Sequence, residues 1–269
     1  MTLRFTLSFL ALASSCVIAA DGNKDGFKDT PIIPNTKWHI HDPDRPLPKV
    51  VTPGEFSVQE KAGTAPNDAK ILFDGTDLKG WKSGESDAKW KVENGYFEVV
   101  SGTGTLRTRE QFGPDVQLHI EWQAPPAKNS GQARGNSGVF FFDRYEIQIL
   151  DTFENLTYAD GHAGALYSQT PPLANAVRKP GEWNVYDIVF NGPRFDKEGK
   201  IETPAFATVF VNGVLVQNHT ELIGDTVFRT ASKWEAHGEK GFISLQDHGN
   251  PMRFRNVWIR ELQPVDSGK

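Results

Sequence analysis

The run "VQLHIEWQA" (Val116–Ala124) decides the fold class. Val116, Leu118, Ile120 and Trp122 alternate with Gln117, His119, Glu121 and Gln123. That two-residue period belongs to a strand with one face on a core and the other turned outward. Working outward, "YEIQIL" (Tyr145–Leu150) repeats the pattern, with Ile147 and Ile149 set against Glu146 and Gln148. "SGVFFF" (Ser137–Phe142) leads into it through Asp143-Arg144. "KWKVENGYFEVV" (Lys89–Val100) and "FATVFVNGVLVQN" (Phe206–Asn218) each place Asn-Gly between two strand-like runs, which is a hairpin signal. "EWNVYDIVF", "GFISLQDHG" and "FRNVWIREL" complete the series. No long stretch carries a 3.6-residue period, and 25 glycines and 17 prolines punctuate the strands. The pattern predicts an all-β chain, an antiparallel β-sandwich of jelly-roll type with few helices.

The first residues, "MTLRFTLSFLALASSCVIAADG", combine Arg4, an apolar stretch from Phe5 to Ala13 and small residues at Ala19 and Ala20. They read as a signal peptide over 1–20, which makes the mature protein secreted or periplasmic. Lipid attachment at Cys16 is the less favoured reading, because Ala13 stands where a larger aliphatic residue is usual. Cys16 is the single cysteine, so the mature chain offers no disulfide, thiolate metal site or cysteine nucleophile. Without Arg4, 28 basic residues face 34 acidic ones, and no basic tract occurs. That balance argues against nucleic acid as a partner. No later apolar run is long enough for a membrane span. A Pro/Gly-rich arm is expected over 21–68 and the jelly-roll domain over 69–263. The oligomeric state is left open.

"DGNKDGFKD" (Asp21–Asp29) imitates the start of a calcium loop, but Ile32 stands where the twelfth-position glutamate is needed. No H-E-x-x-H occurs, and His39, His41 and His219 are not read as metal ligands. No cofactor is expected, although a structural calcium is compatible with such sandwiches. His119, on an outward strand face beside Glu121, is read as solvated.

On a curved sandwich, polar strand faces suit sugars: aromatic rings meet C–H faces while amides and carboxylates bond hydroxyls. The polar face of "YEIQILD" (Tyr145–Asp151) is the foremost candidate, with Glu146 and Asp151 as catalytic carboxylates and Gln148 between them. His248 in "LQDHG" is a candidate acid or donor, since an imidazole serves either role near neutrality. Gln246 shares its strand face, whereas Asp247 points away, to orient the imidazole or cap a turn. Arg134 and Asn136 lie in a glycine-rich loop where backbone can approach a ligand. His162 and Tyr167 flank "AGALY" as groove-wall candidates, and Lys179 precedes Pro180-Gly181.

"YEIQILD" resembles the E-x-D-x-x-E strand of laminarinase- and lichenase-type glycosidases, with Gln148 replacing the central Asp and Asp151 the final Glu. Those replacements weaken a retaining mechanism, which needs two carboxyls about 5–5.5 Å apart. "ILFDGTDLKGW", "RGNSGVFFFDRYEIQILD", "GHAGALY", "KPGEWNVYDIVFNG", "VFVNGVLV" and "GFISLQDHGNPMRFRNVWIREL" occur in this order. Together, over about Ala69–Leu262, they resemble the 3-keto-disaccharide hydrolase family. The resemblance implies a concanavalin-like jelly roll acting on glycosides already oxidised at C3. Such a ketone acidifies the C2 hydrogen, so one base, either Glu146 or Asp151, could start a β-elimination of the C1 substituent. A hydration step would follow. Two other readings remain: a carbohydrate-binding sandwich without catalysis, and an ordinary glycoside hydrolase.

Overall fold

Both Asn-Gly pairs turn as expected: Asn94 and Gly95 have φ 49° and 78°, and Asn212 and Gly213 have φ 51° and 79°. Positive φ at both central residues is the geometry that matches strand twist in a two-residue hairpin. In a computed structural model that describes residues 26–48 and 50–263, each of these hairpins joins one pair among sixteen strands. They are β1 (Lys70–Phe73), β2 (Trp81–Ser83), β3 (Ser86–Asp87), β4 (Lys91–Glu93), β5 (Tyr96–Glu98) and β6 (Leu106–Thr108). Next come β7 (Asp115–Gln123), β8 (Asn136–Phe141), β9 (Tyr145–Leu150), β10 (Trp183–Asn191) and β11 (Arg194–Phe195). The series closes with β12 (Ile201–Thr203), β13 (Phe206–Val211), β14 (Val214–Glu221), β15 (Ile243–Leu245) and β16 (Arg253–Glu261). The expected signal peptide, Cys16 and residues 21–25 of the calcium-like loop lie outside the described residues. Among the described residues, no helix is long and apolar enough to cross a membrane.

Fourteen strands form an eight-stranded sheet, ordered β14-β13-β10-β7-β16-β5-β4 with β1 also on β16, and a six-stranded sheet, ordered β3-β2-β6-β15-β8-β9, while β11 and β12 pair as a separate ribbon. Every pairing in them is antiparallel. Apolar residues of both sheets, such as Leu118, Ile120, Trp122, Ile188, Val139, Phe141, Ile147 and Ile149, are buried between them. Phe141 stacks on Phe190 with centroids 4.4 Å apart, so the two sheets meet face to face through aromatic rings. The jelly-roll sandwich expected from alternation is the fold observed.

The outer face of the eight-stranded sheet departs from expectation. His119 and Glu121 point outward from β7, yet they are 9% and 0% exposed. Residues 51–68, read as arm, belong to the same compact unit as the sandwich, which runs Val51–Gln263. They form a strap over this face. Ser57 Oγ donates to Glu121, and Arg255 Nε donates to Glu121 at 2.7 Å. The same guanidinium donates to the carbonyls of Val58 at 2.6 Å and Gln59 at 3.2 Å. His119 Nδ1 lies 2.7 Å from Asp187, and its ring stacks on Trp258 at 4.9 Å. Burial alone pulls the imidazole down, but the bonds to Asp187 and Glu121 outweigh it and raise His119 to about 9. His119 is therefore a buried, paired cation rather than a solvated side chain. Among the described residues, 26–48 and Val50 belong to the other unit. Its described part is tied by a bridge between Ile32 and His39 and by Lys28 paired with Asp42 at 2.8 Å.

Candidate active site

The outer face of the six-stranded sheet holds a groove of about 400 Å³. Its floor follows from register. Phe140 of β8 stands opposite Glu146 of β9, and Gly138 stands opposite Gln148. Directly paired residues share a face, so Glu146 and Gln148 point away from the core that takes Ile147 and Ile149. β9 is an edge strand, and its free edge is covered rather than open. Gln148 N–H donates to Ala165 at 3.0 Å, Gly164 N–H to Gln148 at 2.9 Å, and Tyr167 N–H to Glu146 at 3.2 Å. This segment closes the edge and brings the Tyr167 ring to the groove wall. From beneath, the Tyr186 hydroxyl donates to the Gln148 carbonyl at 2.8 Å, fixing the floor to the opposite sheet.

Glu146 is the unusual group. Its side chain is nearly buried and lies over Gly138, where a Cβ would come within 2.2 Å of Oε1. Only glycine leaves room for the carboxyl in that position. Burial raises Glu146 to about 8, with no counter-charge to oppose it. A carboxyl poised there exchanges a proton near neutrality, as a general base or acid must. Beside it, Gln148 Nε2 donates to Gln132 Oε1 at 3.1 Å, and Asn136 Nδ2 donates to the Gln132 carbonyl at 2.8 Å. The other end of each amide, Gln148 Oε1 and Asn136 Oδ1, is buried without a partner. Two such acceptors on one groove wall suit a ligand that brings hydroxyl donors. Tyr167 OH pairs with Tyr158 OH at 2.9 Å, and burial holds the Tyr167 phenol above its ordinary range, so it remains a donor.

Of the residues picked from sequence, Glu146, Gln148, Asn136, Tyr167, Gln246 and His248 line this groove. His248 is exposed at its rim. Asp247 turns away and accepts N–H bonds from Gly102, Gly104 and Gly249, which is the turn-capping role. Asp151 and Arg134 are not brought into the groove. The β8–β9 pairing runs without a bulge to Leu150, so the odd-numbered Asp151 falls out of phase with Glu146. Its carboxylate instead takes Arg134 Nε at 2.8 Å and Nη2 at 2.5 Å. Lys179 is exposed and pairs with Glu182 at 3.3 Å, and His162 caps a short 3-10 turn. Neither lines the groove. Gln132, Phe140, Tyr158, Thr226, Val227 and Phe228 also line it and are not picked out by sequence reasoning. Phe140 carries a usable signal, since it is two residues from Gly138 and four from Asn136, but three consecutive phenylalanines mask the parity. Gln132, Thr226 and Phe228 come from irregular segments with no period to read. Among the described residues, no three His, Cys, Asp or Glu side chains converge as a metal site.

Comparison with known proteins agrees with this architecture. A Parabacteroides distasonis crystal structure described as a candidate glycosyl hydrolase is 45% identical, with a TM-score of 0.77 over 81% of this chain and 93% of its own. A second such structure from that organism is 23% identical, with a TM-score of 0.52 over 73% of this chain and 94% of its own. It shares the fold. A 3-keto-disaccharide hydrolase of Bacteroides thetaiotaomicron is 23% identical over 228 residues, 71% of this chain and 77% of that protein. The model of the 3-keto-alpha-glucoside-1,2-lyase-like domain matches residues 68–260, which takes in the whole sandwich, and the chain belongs to that family.

Proposed function

We propose that the protein is an exported enzyme that cleaves 3-keto-glycosides, 3-keto-disaccharides among them, by elimination followed by hydration. The observation that carries this reading is the Glu146 carboxyl, raised to about 8 on a groove floor beside two unpaired amide oxygens. Elimination needs one base near C2, and a single carboxyl suffices for it, whereas a retaining glycosidase needs a close carboxylate pair. In its ionised form Glu146 takes the C2 proton, and the electron pair moves to the C3 carbonyl as an enolate. The enolate re-forms the ketone and expels the C1 oxygen substituent, which takes up a proton; water then adds at C1 of the enone. Donors for the enolate oxygen are at hand in the Tyr167 hydroxyl and the Gln148 amide. In this reading His248, at the rim, protonates the departing oxygen. The amide acceptors Gln148 Oε1 and Asn136 Oδ1 take sugar hydroxyls.

The test is incubation of the purified protein with a 3-keto-disaccharide and with its unoxidised parent, with products resolved by chromatography. Cleavage of the keto sugar alone is expected. Cleavage of neither, with saturable binding of either, would replace this reading with a carbohydrate-binding sandwich, for which the exposed Phe228 and Tyr158 rings would serve as a platform. Cleavage of the parent sugar would mean an ordinary glycosidase. Export is tested by the amino-terminal sequence of the protein recovered from outside the cytoplasm, expected to begin near Asp21.

A further inference from the structure

The groove does not end at Glu146. Sheet register sets a rank of outward residues at right angles to the strands. Glu146 of β9 faces Phe140 of β8, Phe140 faces Ser244 of β15, and Ser244 faces Arg107 of β6. Neighbouring strands lie about 4.8 Å apart, so Arg107 stands roughly 14 Å from Glu146 along this rank. A second cavity of about 360 Å³ covers the far part of the rank, and Phe140 and Gln246 line both cavities. The two are compartments of one trough with a shared wall.

The second compartment has its own chemistry. Asp143 sits in the turn between β8 and β9 and reaches over the sheet, where its carboxylate accepts from the Ser244 hydroxyl and from Arg107 Nη1 at 3.2 Å. The Arg107 guanidinium lies over the Phe242 ring at 4.4 Å, and its Nε is buried without a partner. The result is a fixed array of donors and acceptors with little net charge, beside the half-buried Phe140 ring. A pyranose matches it: hydroxyls around the rim for Arg107, Asp143 and Gln246, and a C–H face for the ring. A flat aromatic substituent would cover the same polar groups without satisfying them, which costs binding energy. An anionic one would meet Asp143.

We propose that this second compartment holds the leaving group of the substrate as a second, unoxidised sugar ring, with Arg107 selecting for it. The inference rests on the reading of Glu146 as the base beneath the oxidised ring, because that assignment fixes which end of the trough takes the departing sugar.

The experiment uses the full chain carrying Glu146→Gln, so that keto sugars persist during titration calorimetry. The probes are a 3-keto-disaccharide and methyl 3-keto-glucoside. The disaccharide is expected to bind at least tenfold more tightly. Arg107→Ala in that background is expected to lower disaccharide affinity about tenfold, while methyl glycoside affinity changes less than twofold. Ser244→Ala, which removes an Asp143 partner without touching the ion pair, is expected to shift the same ratio in the same direction and keeps the test open if Arg107→Ala does not fold. Equal affinity for the two sugars, or equal loss for both on substitution, would overturn the subsite. Turnover by the unsubstituted chain separates the two readings. A disaccharide preference lost with Arg107 in a protein that cleaves neither keto sugar keeps the compartment as a second-sugar site but overturns its leaving-group role together with the catalytic reading. Binding of neither sugar removes both.

Discussion

Glu146, the proposed base, is also a liability for the fold. Its carboxyl is raised from an ordinary 4.5 to about 8. A raised folded-state value means that its favourable contribution is complete below about 4.5 and is lost as pH rises through 8. At neutral pH the burial is therefore a cost, on the order of 2–3 kcal/mol. Glu146→Gln should remove at least hundredfold of turnover, in the range of a lost general base. It should also raise the thermal midpoint at pH 8, and more there than at pH 5; a lowered midpoint at both pH values would contradict the assignment. In the intact protein, kcat/KM for a 3-keto substrate should climb between pH 6 and 9, following ionisation of this group. A flat profile over that range would remove Glu146 as the base. Gly138 belongs to the same unit, because Ala at 138 would push into Oε1. Gly138→Ala should lower kcat far more than it raises KM.

At the level of single elements, β7 shows both what sequence discloses and what it hides. Its alternation is legible, and so are β9, β10 and the two Asn-Gly hairpins, because a two-residue period survives in any strand with one face in a core. The fate of the outward face is not legible. Nothing in "VQLHIEWQA" says that residues 51–68 return to cover His119 and Glu121, since that contact joins segments some sixty positions apart. The candidate site divides along the same line. Glu146, Gln148 and Gln246 are readable by parity, whereas Asn136, read as loop, is the first residue of β8. Asp151 misleads because the E-x-Q-x-x-D spacing suggests a shared face that an unbulged strand does not give it. The covered face has its own pH signature. His119 is raised to about 9, so its pairing stabilises the fold fully below about 6.5 and is lost as pH rises through 9. That linkage is worth about 2–3 kcal/mol. Asn at position 119 should remove most of this slope, measured by urea unfolding at pH 6.5 and 9.5. An unchanged slope would show that the imidazole is not the titrating group.

For the molecule as a whole, the two outer faces do different work. The face of the eight-stranded sheet is closed by the strap, with Arg255 holding Glu121 from one side and the Val58 and Gln59 carbonyls from the other. The face of the six-stranded sheet stays open as the trough. A chain beginning at Ala69 would lose Ser57 and both carbonyl partners of Arg255. It should be on the order of 2–3 kcal/mol less stable than one beginning at Val51, the range for a lost hydrogen bond to a charged group. Equal denaturation midpoints for the two chains would show that the strap is not part of the folding unit.

The cross-strand rank from Glu146 to Arg107 also governs how this molecule can change. Its four members come from four strands, of which only β8 and β9 are consecutive in the chain, and their spacing is set by hydrogen-bonded pairing. Loops other than the β8–β9 turn, which carries Asp143, can therefore lengthen or drift without altering the distance between Glu146 and Arg107. A single-residue deletion inside β8 is another matter. It would reverse the phase of the residues on one side of it, turning Phe140 into the core and bringing Val139 and Phe141 out, or doing the same to Asn136, and either breaks the trough floor. Diversification of this domain is thus channelled: tolerant at the rims, unforgiving along the strands.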